Sequence, residues 1–436
     1  MGVGTNLTLA AALVALVVAG VNIAPARASG ESQLLIEADT GKVLKAENAT
    51  YPWYPASVTK LMTAYLTFRA IKEGRLTLDS VLTVSANAVA QQPTKMGFRS
   101  GTQITVDNAL KMLMVKSAND IAVVLAEGVA GSVERFADEM NRASRRLGMT
   151  QSSWVNPNGL PADGQITSAR DMAILARRIL LEFPEYNDYW DIQAIRLGRR
   201  VMRNHNSLIT RYPGADGMKT GFICASGFNV VATATRGNRR LIAVVFGAPS
   251  SAVRAAKAAY MFETAFNNTG LSWLTPSFGR VEDLQPINAA PPNLRDEMCG
   301  KRRRRPAAEA ADGDEEDGVK GFISLFSNSS EPKPSSLISN TVELAPPVRV
   351  YVGAPRPSRD RAVATTKGSA SDRAAPLPRV RPAAAPEQTR AATATKRRSK
   401  SVVPAATVLP QAKPNPKPRR KPRASHSAAT AKPSAQ

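Results

Sequence analysis

The sequence predicts an α/β domain, with an antiparallel sheet flanked by helices and a helical subdomain, followed by a disordered basic tail. Three observations carry this. Strand-like segments stand at both ends of residues 33–268, helical periodicity fills the middle, and the composition changes abruptly beyond Thr275. Strands at both ends of a helical middle mean that the sheet joins distant parts of the chain.

The opening element is a β-hairpin, because Leu34-Leu35-Ile36 and Lys42-Val43-Leu44 flank the turn residues Asp39-Thr40-Gly41. A helix is expected from about Ala56. Leu61, Tyr65, Phe68 and Lys72 recur at helical spacing, after a proline, Pro55, that can precede a first turn but not sit inside a helix. Further helices are expected at residues 106–116, 120–128 and 133–147. Ile223 and residues 227–235 and 241–248 read as strands, and residues 251–266 as a closing helix.

A chain of 436 residues with 43% hydrophobic content can bury a full core. One or two domains plus a tail fit this length. An apolar run from Leu7 to Val21 ends at Ala26-Arg27-Ala28, the pattern of a cleaved secretory signal. The expected organisation is therefore a signal peptide at 1–28, a folded domain at 29–270 and a tail at 271–436. From Pro286 onward the chain is rich in Pro, Ala, Ser, Lys and Arg, with a basic run at 301–305 and an acidic patch at 312–317. Such a segment buries too little surface to offset its ordering entropy. Much of the net charge of +23 lies there. No later stretch approaches the ~20 continuous apolar residues of a membrane span.

Export permits a disulfide, and Cys224 and Cys299 are the only cysteines, but spacing alone does not decide whether they pair. With these and only His205 and His426, no cluster has zinc-site spacing. No metal or cofactor is expected, which directs attention to serine chemistry.

Ser57-Val58-Thr59-Lys60 places a hydroxyl and an amine three residues apart, on one face of a helix. A serine hydroxyl becomes a nucleophile when a neighbouring base takes its proton, and a neutral lysine serves if burial lowers its pKa. Bringing a lysine from ~10.4 to near neutral costs about 4 kcal/mol, within reach of desolvation and a second cation. Ser117-Ala118-Asn119 lies between two expected helices. Ser117 there is either a simple N-cap, with Asp120 as first-turn charge, or a second hydroxyl for proton relay, with Asn119 as a hydrogen-bonding carboxamide. Lys219-Thr220-Gly221 precedes a strand. A lysine and a threonine hydroxyl can hold a carboxylate, and the glycine would let a substrate backbone approach.

In this order the three elements match a known set, and the chain resembles the D-alanyl-D-alanine carboxypeptidases. These are low-molecular-mass penicillin-binding proteins that share the β-lactamase/D,D-peptidase fold. Residues 154–160 (Trp-Val-Asn-Pro-Asn-Gly-Leu) and Asn204-His205-Asn206-Ser207-Leu208 add to the likeness, which covers about residues 33–266. The resemblance implies that Ser57 is acylated, Lys60 is its base, Ser117 relays the proton and Asn119 donates to substrate. Lys219 and Thr220 would receive the terminal carboxylate beside Gly221, and the N–H groups of Ser57 and Phe222 would form the oxyanion hole. The implied partners are peptidoglycan stem peptides, with β-lactam antibiotics as covalent inhibitors, in the periplasm. A D,D-endopeptidase would use the same residues, and a silent wall-binding protein would keep the fold without turnover. A class A β-lactamase would need a deacylating Glu, which residues 154–160 do not offer, and a Ser-His-Asp hydrolase has only His205 to draw on. That histidine is expected to be structural.

Many relatives carry a β-rich domain and a membrane-lying helix after the catalytic part. Here the basic tail occupies that place. It is expected to make weak, salt-sensitive contact with anionic envelope surfaces, including the inner-membrane face, rather than with nucleic acid. Residues 319–326 are apolar but too few for a docking helix and read as linker.

Overall fold

In the computed structural model, residues 30–267, 278–300, 337–338 and 344–354 are described. All of them belong to one unit, Met1–Ala362. The expected signal peptide, the 319–326 linker and most of the expected tail lie outside the described residues.

The hairpin strands β1 (Ser32–Glu37) and β2 (Val43–Glu47) open the domain. A single 3-10 turn, Ala56–Thr59, leads directly into helix α1 (Lys60–Lys72). The small antiparallel pair β3 (Val81–Thr83) and β4 (Gln103–Thr105) brackets a loop. Helices α2 (Val106–Lys116), α3 (Asn119–Ala130) and α4 (Val133–Leu147) follow. Their starts obey local chemistry: the Thr105 and Ser132 side chains accept from the third backbone N–H of α2 and α4. Gly131 and Gly148 end α3 and α4 in the left-handed conformation. Helix α5 (Ala169–Glu182), capped by Ser168, was not among the expected elements. Next come the hairpin β5 (Ala194–Leu197) and β6 (Arg200–Arg203). Strands β7 (Ala215–Ile223), β8 (Gly227–Arg236) and β9 (Arg239–Ala248) precede the closing helix α6 (Ser251–Asn267). A last short strand, β10 (Val348–Val350), runs parallel beside β5.

The main sheet has the order β2-β1-β9-β8-β7, with every neighbouring pair antiparallel. It joins the first strands to the last, as the chain-end strand pattern predicts. Side chains alternate between two cores with the period of two that a strand imposes. Leu34, Ile36, Val231, Ile242 and Val244 face the helical side. Leu35, Val230, Ala232, Ala243 and Val245 face the opposite way, onto Val253, Ala258, Ala259 and Phe262 of α6. Helix α1 is buried from Lys60 through Phe68, so it runs through the helical half as a central rod rather than along its surface.

At the outer end of α6, Arg236 donates to Glu263 and to the Tyr212 hydroxyl. The hydrogen bond from Arg236 holds the Glu263 carboxyl below its ordinary value. On the other side, Asp171 is fully buried and accepts from Ser152, from the backbone of Gln151 and from Arg170. Burial nevertheless pushes its carboxyl up.

The expected boundary at residue 270 falls short of the packed domain. Residues 278–300 form a strap across it. Gly279 accepts from the backbone of Val43, and Val281 donates to Gly41, at the β1–β2 turn. The strap then crosses α5, where Arg170 donates to the Glu282 carbonyl and Arg177 to its carboxylate. It passes Gln151, which donates to Ile287, and ends at the β7–β8 turn, where Leu294 donates to the Ala225 carbonyl. There Cys299 is joined to Cys224, with Cα atoms 5.7 Å apart. Val281, Leu294 and Met298 are buried. The strap thus connects the turns at the two edges of the sheet, β2 and β7, and a few apolar anchors and one cross-link hold a proline-rich segment that composition assigns to the tail. Among the described residues no helix is long and apolar enough to cross a membrane.

Candidate active site

The site lies where the head of α1, the α2–α3 connection and β7 meet. Ala56 adopts a left-handed φ of 49°, which turns the chain sharply at the first residue of the 3-10 turn and leaves Ser57 partly exposed at its corner. Lys60, one turn on, is completely buried. Its Nζ lies 2.8 Å from Ser57 Oγ, 2.8 Å from Asn119 Oδ1 and 2.7 Å from the Asn158 carbonyl. The serine and lysine expected to share one face do so.

The α2–α3 connection is two residues long. Ser117 closes α2 in the left-handed conformation, φ 57° and ψ 33°, and Ala118 precedes the first residue of α3. Ser117 is therefore a C-terminal residue and not the N-cap that the sequence admits. Its hydroxyl is buried without a hydrogen-bond partner within the protein. A buried hydroxyl left unpaired in a tight turn costs about 1–3 kcal/mol, a sign that the position is held for something other than packing. Asp120 does more than charge the first turn. Its carboxylate accepts from the backbone of Met96, Gly97 and Ile121, and so anchors the 96–97 loop on α3. Asn119 Nδ2 donates to the Gln92 carbonyl at 2.9 Å, an acceptor-only partner that fixes the orientation of the amide. That contact uses one of the two amide hydrogens.

Strand β7 supplies Lys219, Thr220, Gly221 and Phe222. Lys219 is 2% exposed and donates to the Thr220 carbonyl. The Thr220 hydroxyl is buried without a partner, like that of Ser117. Gly221 has a reason within the fold as well as the expected approach of a substrate. A Cβ there would lie 2.8 Å from the Ser57 nitrogen and 3.0 Å from that of Val58, so its bareness lets β7 lie directly against the turn that carries Ser57. Phe222 follows, its ring packed against Phe228 with centroids 4.3 Å apart.

Several residues escape a sequence reading. Asn229 on β8, opposite Gly221, is completely buried. It donates to the Tyr54 and Pro55 carbonyls at 3.0 and 3.3 Å and accepts from Gly247, which clamps the approach to Ser57. A lone amide among Val230, Val231 and Ala232 is the signal that points to it. Gln165 donates to Thr59 and accepts from Val155 and Asn156, and Thr63 donates to the Pro157 carbonyl at 2.6 Å. Together they hold the 155–159 loop so that the Asn158 carbonyl meets Lys60. Gly159, at φ +82°, would place a Cβ 1.8 Å from the Ala56 carbonyl oxygen, so only glycine fits. His205 is buried, with its carbonyl accepting from Arg254.

With this geometry in hand, comparison with known proteins agrees. Residues 20–250 match the family described as D-alanyl-D-alanine carboxypeptidase, Peptidase_S11. The chain is 37% identical over 243 residues to the D-alanyl-D-alanine carboxypeptidase DacF of Bacillus subtilis, covering 54% of this chain and 62% of that protein. It is 36% identical over 227 residues to DacD of Escherichia coli, covering 50% and 58%. Among solved structures it is similar to penicillin binding protein 6B from Escherichia coli, with a TM-score of 0.52, 33% identity and coverage of 57% of this chain and 81% of that one. Penicillin binding protein 5 from Haemophilus influenzae is similar too, at TM-score 0.52, 32% identity and coverage of 54% and 70%. The chain belongs to the D-alanyl-D-alanine carboxypeptidase family. It matches a little under two thirds of the length of these curated relatives.

Proposed function

We propose that the protein is a serine-type D-Ala-D-Ala carboxypeptidase that removes the terminal D-alanine of peptidoglycan stem peptides through an acyl-enzyme on Ser57. The observation that carries this reading is the set of three oxygens around Lys60 Nζ. Two of them, the Asn158 carbonyl and the Asn119 carboxamide oxygen, can only accept. A neutral lysine has two hydrogens and one lone pair, so once both hydrogens are committed the lone pair faces Ser57 Oγ. The serine hydroxyl then donates to it, the arrangement a general base needs.

Ser57 Oγ attacks the carbonyl of the penultimate residue while its proton passes to Lys60. The developing oxyanion is received by the N–H groups of Ser57 and Phe222, where one donor is typically worth ~10² to 10³ in rate. Ser117 passes the proton on to the leaving amine of D-alanine. Lys219 and Thr220 hold the terminal carboxylate by charge-assisted hydrogen bonds, and Asn119 positions the peptide. Water then releases the shortened peptide. A β-lactam that mimics the D-Ala-D-Ala end acylates the same serine. The Ala26-Arg27-Ala28 site supports export to the periplasm, and the charge of the tail supports weak contact with anionic envelope surfaces.

The test is mass spectrometry after penicillin treatment. A single adduct on the peptide containing Ser57, lost in Lys60→Ala, is expected, with the acylation rate down by about 10² to 10⁴ as for other general bases. An adduct elsewhere, or full labelling of the variant, overturns the assignment. Incubation with muropeptides separates the two D,D-activities: free D-alanine from pentapeptides supports the carboxypeptidase, and monomers from cross-linked dimers the endopeptidase.

A further inference from the structure

Resting on the acylation of Ser57, we infer that the Cys224–Cys299 disulfide is a positioning element for the oxyanion hole, so that opening it slows acylation in the folded protein. The bridge closes a 75-residue separation, and its site of attachment is what matters. Cys224 is the first residue after β7, two positions beyond Phe222. The turn it opens, 224–226, is tied in three directions. Cys299 holds it covalently, Leu294 donates to the Ala225 carbonyl at 3.0 Å, and the buried indole of Trp53 donates to the Ser226 carbonyl at 3.0 Å. Trp53 stands four residues before Ser57. One turn therefore touches both sources of the proposed oxyanion donors: the end of β7, which carries the Phe222 N–H, and the run from Trp53 to Ser57.

The remaining ties of that turn are internal. Ser226 Oγ donates to the nearer Gly227 carbonyl, at 2.8 Å, and accepts from the Ile223 N–H, at the two strand ends that flank the turn. The β7–β8 ladder holds the two strand ends, Phe222 opposite Phe228 and Ile223 opposite Gly227, and from outside the turn is held by Trp53 and by the strap, whose far end is fixed at Gly41 and Val43 on the opposite edge of the sheet. Both cysteines are partly exposed, so a small reductant reaches the bridge without unfolding. With the bridge open, the strap keeps its anchors at Val281 and Glu282, but its terminal turn, Arg295–Cys299, loses its covalent hold. The β7–β8 turn then moves relative to Trp53, and the two N–H donors lose their common focus. Charge stabilisation of this kind depends on preorganised donors, so displacement without loss lowers the rate by less than deletion of a donor.

The experiment reduces the purified, folded protein with a water-soluble phosphine. The phosphine is oxidised to its oxide, with water supplying the oxygen and two protons, and the two sulfurs become thiols. After gel filtration under nitrogen, acylation by fluorescent penicillin is followed across concentrations. The expected result is a drop of about five- to tenfold in the rate at saturating penicillin, smaller than the loss of a whole donor, with the final labelled fraction unchanged and the rate recovered on reoxidation by air. The double variant Cys224→Ser/Cys299→Ser should reproduce the low rate and no longer respond to reductant. An unchanged rate when mass analysis shows two free thiols overturns the inference. So does a fall in the labelled fraction at an unchanged rate, which would mean that the bridge only keeps the protein folded. No label at Ser57 in the untreated protein would instead overturn the acylation reading, and this inference with it.

Discussion

The two halves of the site are held by different means. The helical half, with Ser57, Lys60, Asn119 and Asn158, is fixed by hydrogen bonds that converge on one buried amine. The strand half, residues 219–222, is fixed by backbone pairing of β7 with β8 and by the close contact that Gly221 permits. The first can be dismantled one functional group at a time. The second depends on backbone spacing for its position, and on the Lys219 and Thr220 side chains for the carboxylate contact proposed above.

That contrast is most sharply broken at Gly221. Gly221→Ala adds one carbon where a Cβ would lie 2.8 Å from the Ser57 nitrogen and 3.0 Å from that of Val58, and neither backbone can retreat without moving the proposed oxyanion donors. Acylation by penicillin should fall about 10²-fold, the worth of one donor, with the far-ultraviolet circular dichroism retained. A variant that acylates at the parent rate would show that the spacing between β7 and the 3-10 turn is not critical.

Asn229→Ala sharpens the comparison from the other side, because Asn229 lies in the strand half but acts by side-chain hydrogen bonds. It leaves the Tyr54 and Pro55 carbonyls and the Gly247 N–H without their partner. The expected cost is about 2–3 kcal/mol, or about 4–12 °C in Tm for a domain of this size, together with slower acylation. Thermal unfolding and labelling kinetics on one preparation read both. A Tm within a degree of the parent would mean that these carbonyls find other donors.

The smallest effect is a control outside both halves. The hydrogen bond from Arg236 lowers the Glu263 carboxyl. A carboxyl depressed in the folded state contributes stability that is present above the ordinary value of ~4.3 and is lost as pH falls through the lowered one. Glu263→Gln should therefore flatten the acid limb of the stability profile below about pH 4.3 and leave acylation near neutrality unchanged. An acid limb identical to the parent would remove the pair from any role in acid stability.

Much of this was legible in the sequence, for a physical reason. Ser57 and Lys60 are one helical turn apart, and 219–222 is a single strand segment, so local spacing carries their geometry. Helices at 106–116 and 133–147 likewise follow from local periodicity and caps. The clamps were not legible, because they join residues far apart in the chain: Lys60 to Asn158, Asn229 to Pro55, Gln165 to Thr59. No local pattern encodes such pairs. Helix α5 escaped for a related reason, since its buried Arg170, Asp171 and Arg177 break the apolar stripe and take partners far along the chain, among them Gly148, Gln151, Glu282 and Asp39. The strap was misassigned because composition measures how little apolar surface a segment can bury. It takes no account of a cross-link that removes the need to bury more.

Strand β10 changes how the chain can be shortened. It lies parallel beside β5, while Tyr351 and Gly353 donate to Asn108 and Gln103. A protein ending after Gly300 but before Val348 would keep the Cys224–Cys299 bridge yet leave the outer side of β5 as an open row of amide and carbonyl groups. Open edges of that kind recruit strands from neighbouring molecules. Self-association, rather than loss of catalysis, is then the first consequence of cutting too close, and Gly353 rather than residue 270 marks the shortest end that keeps that edge covered.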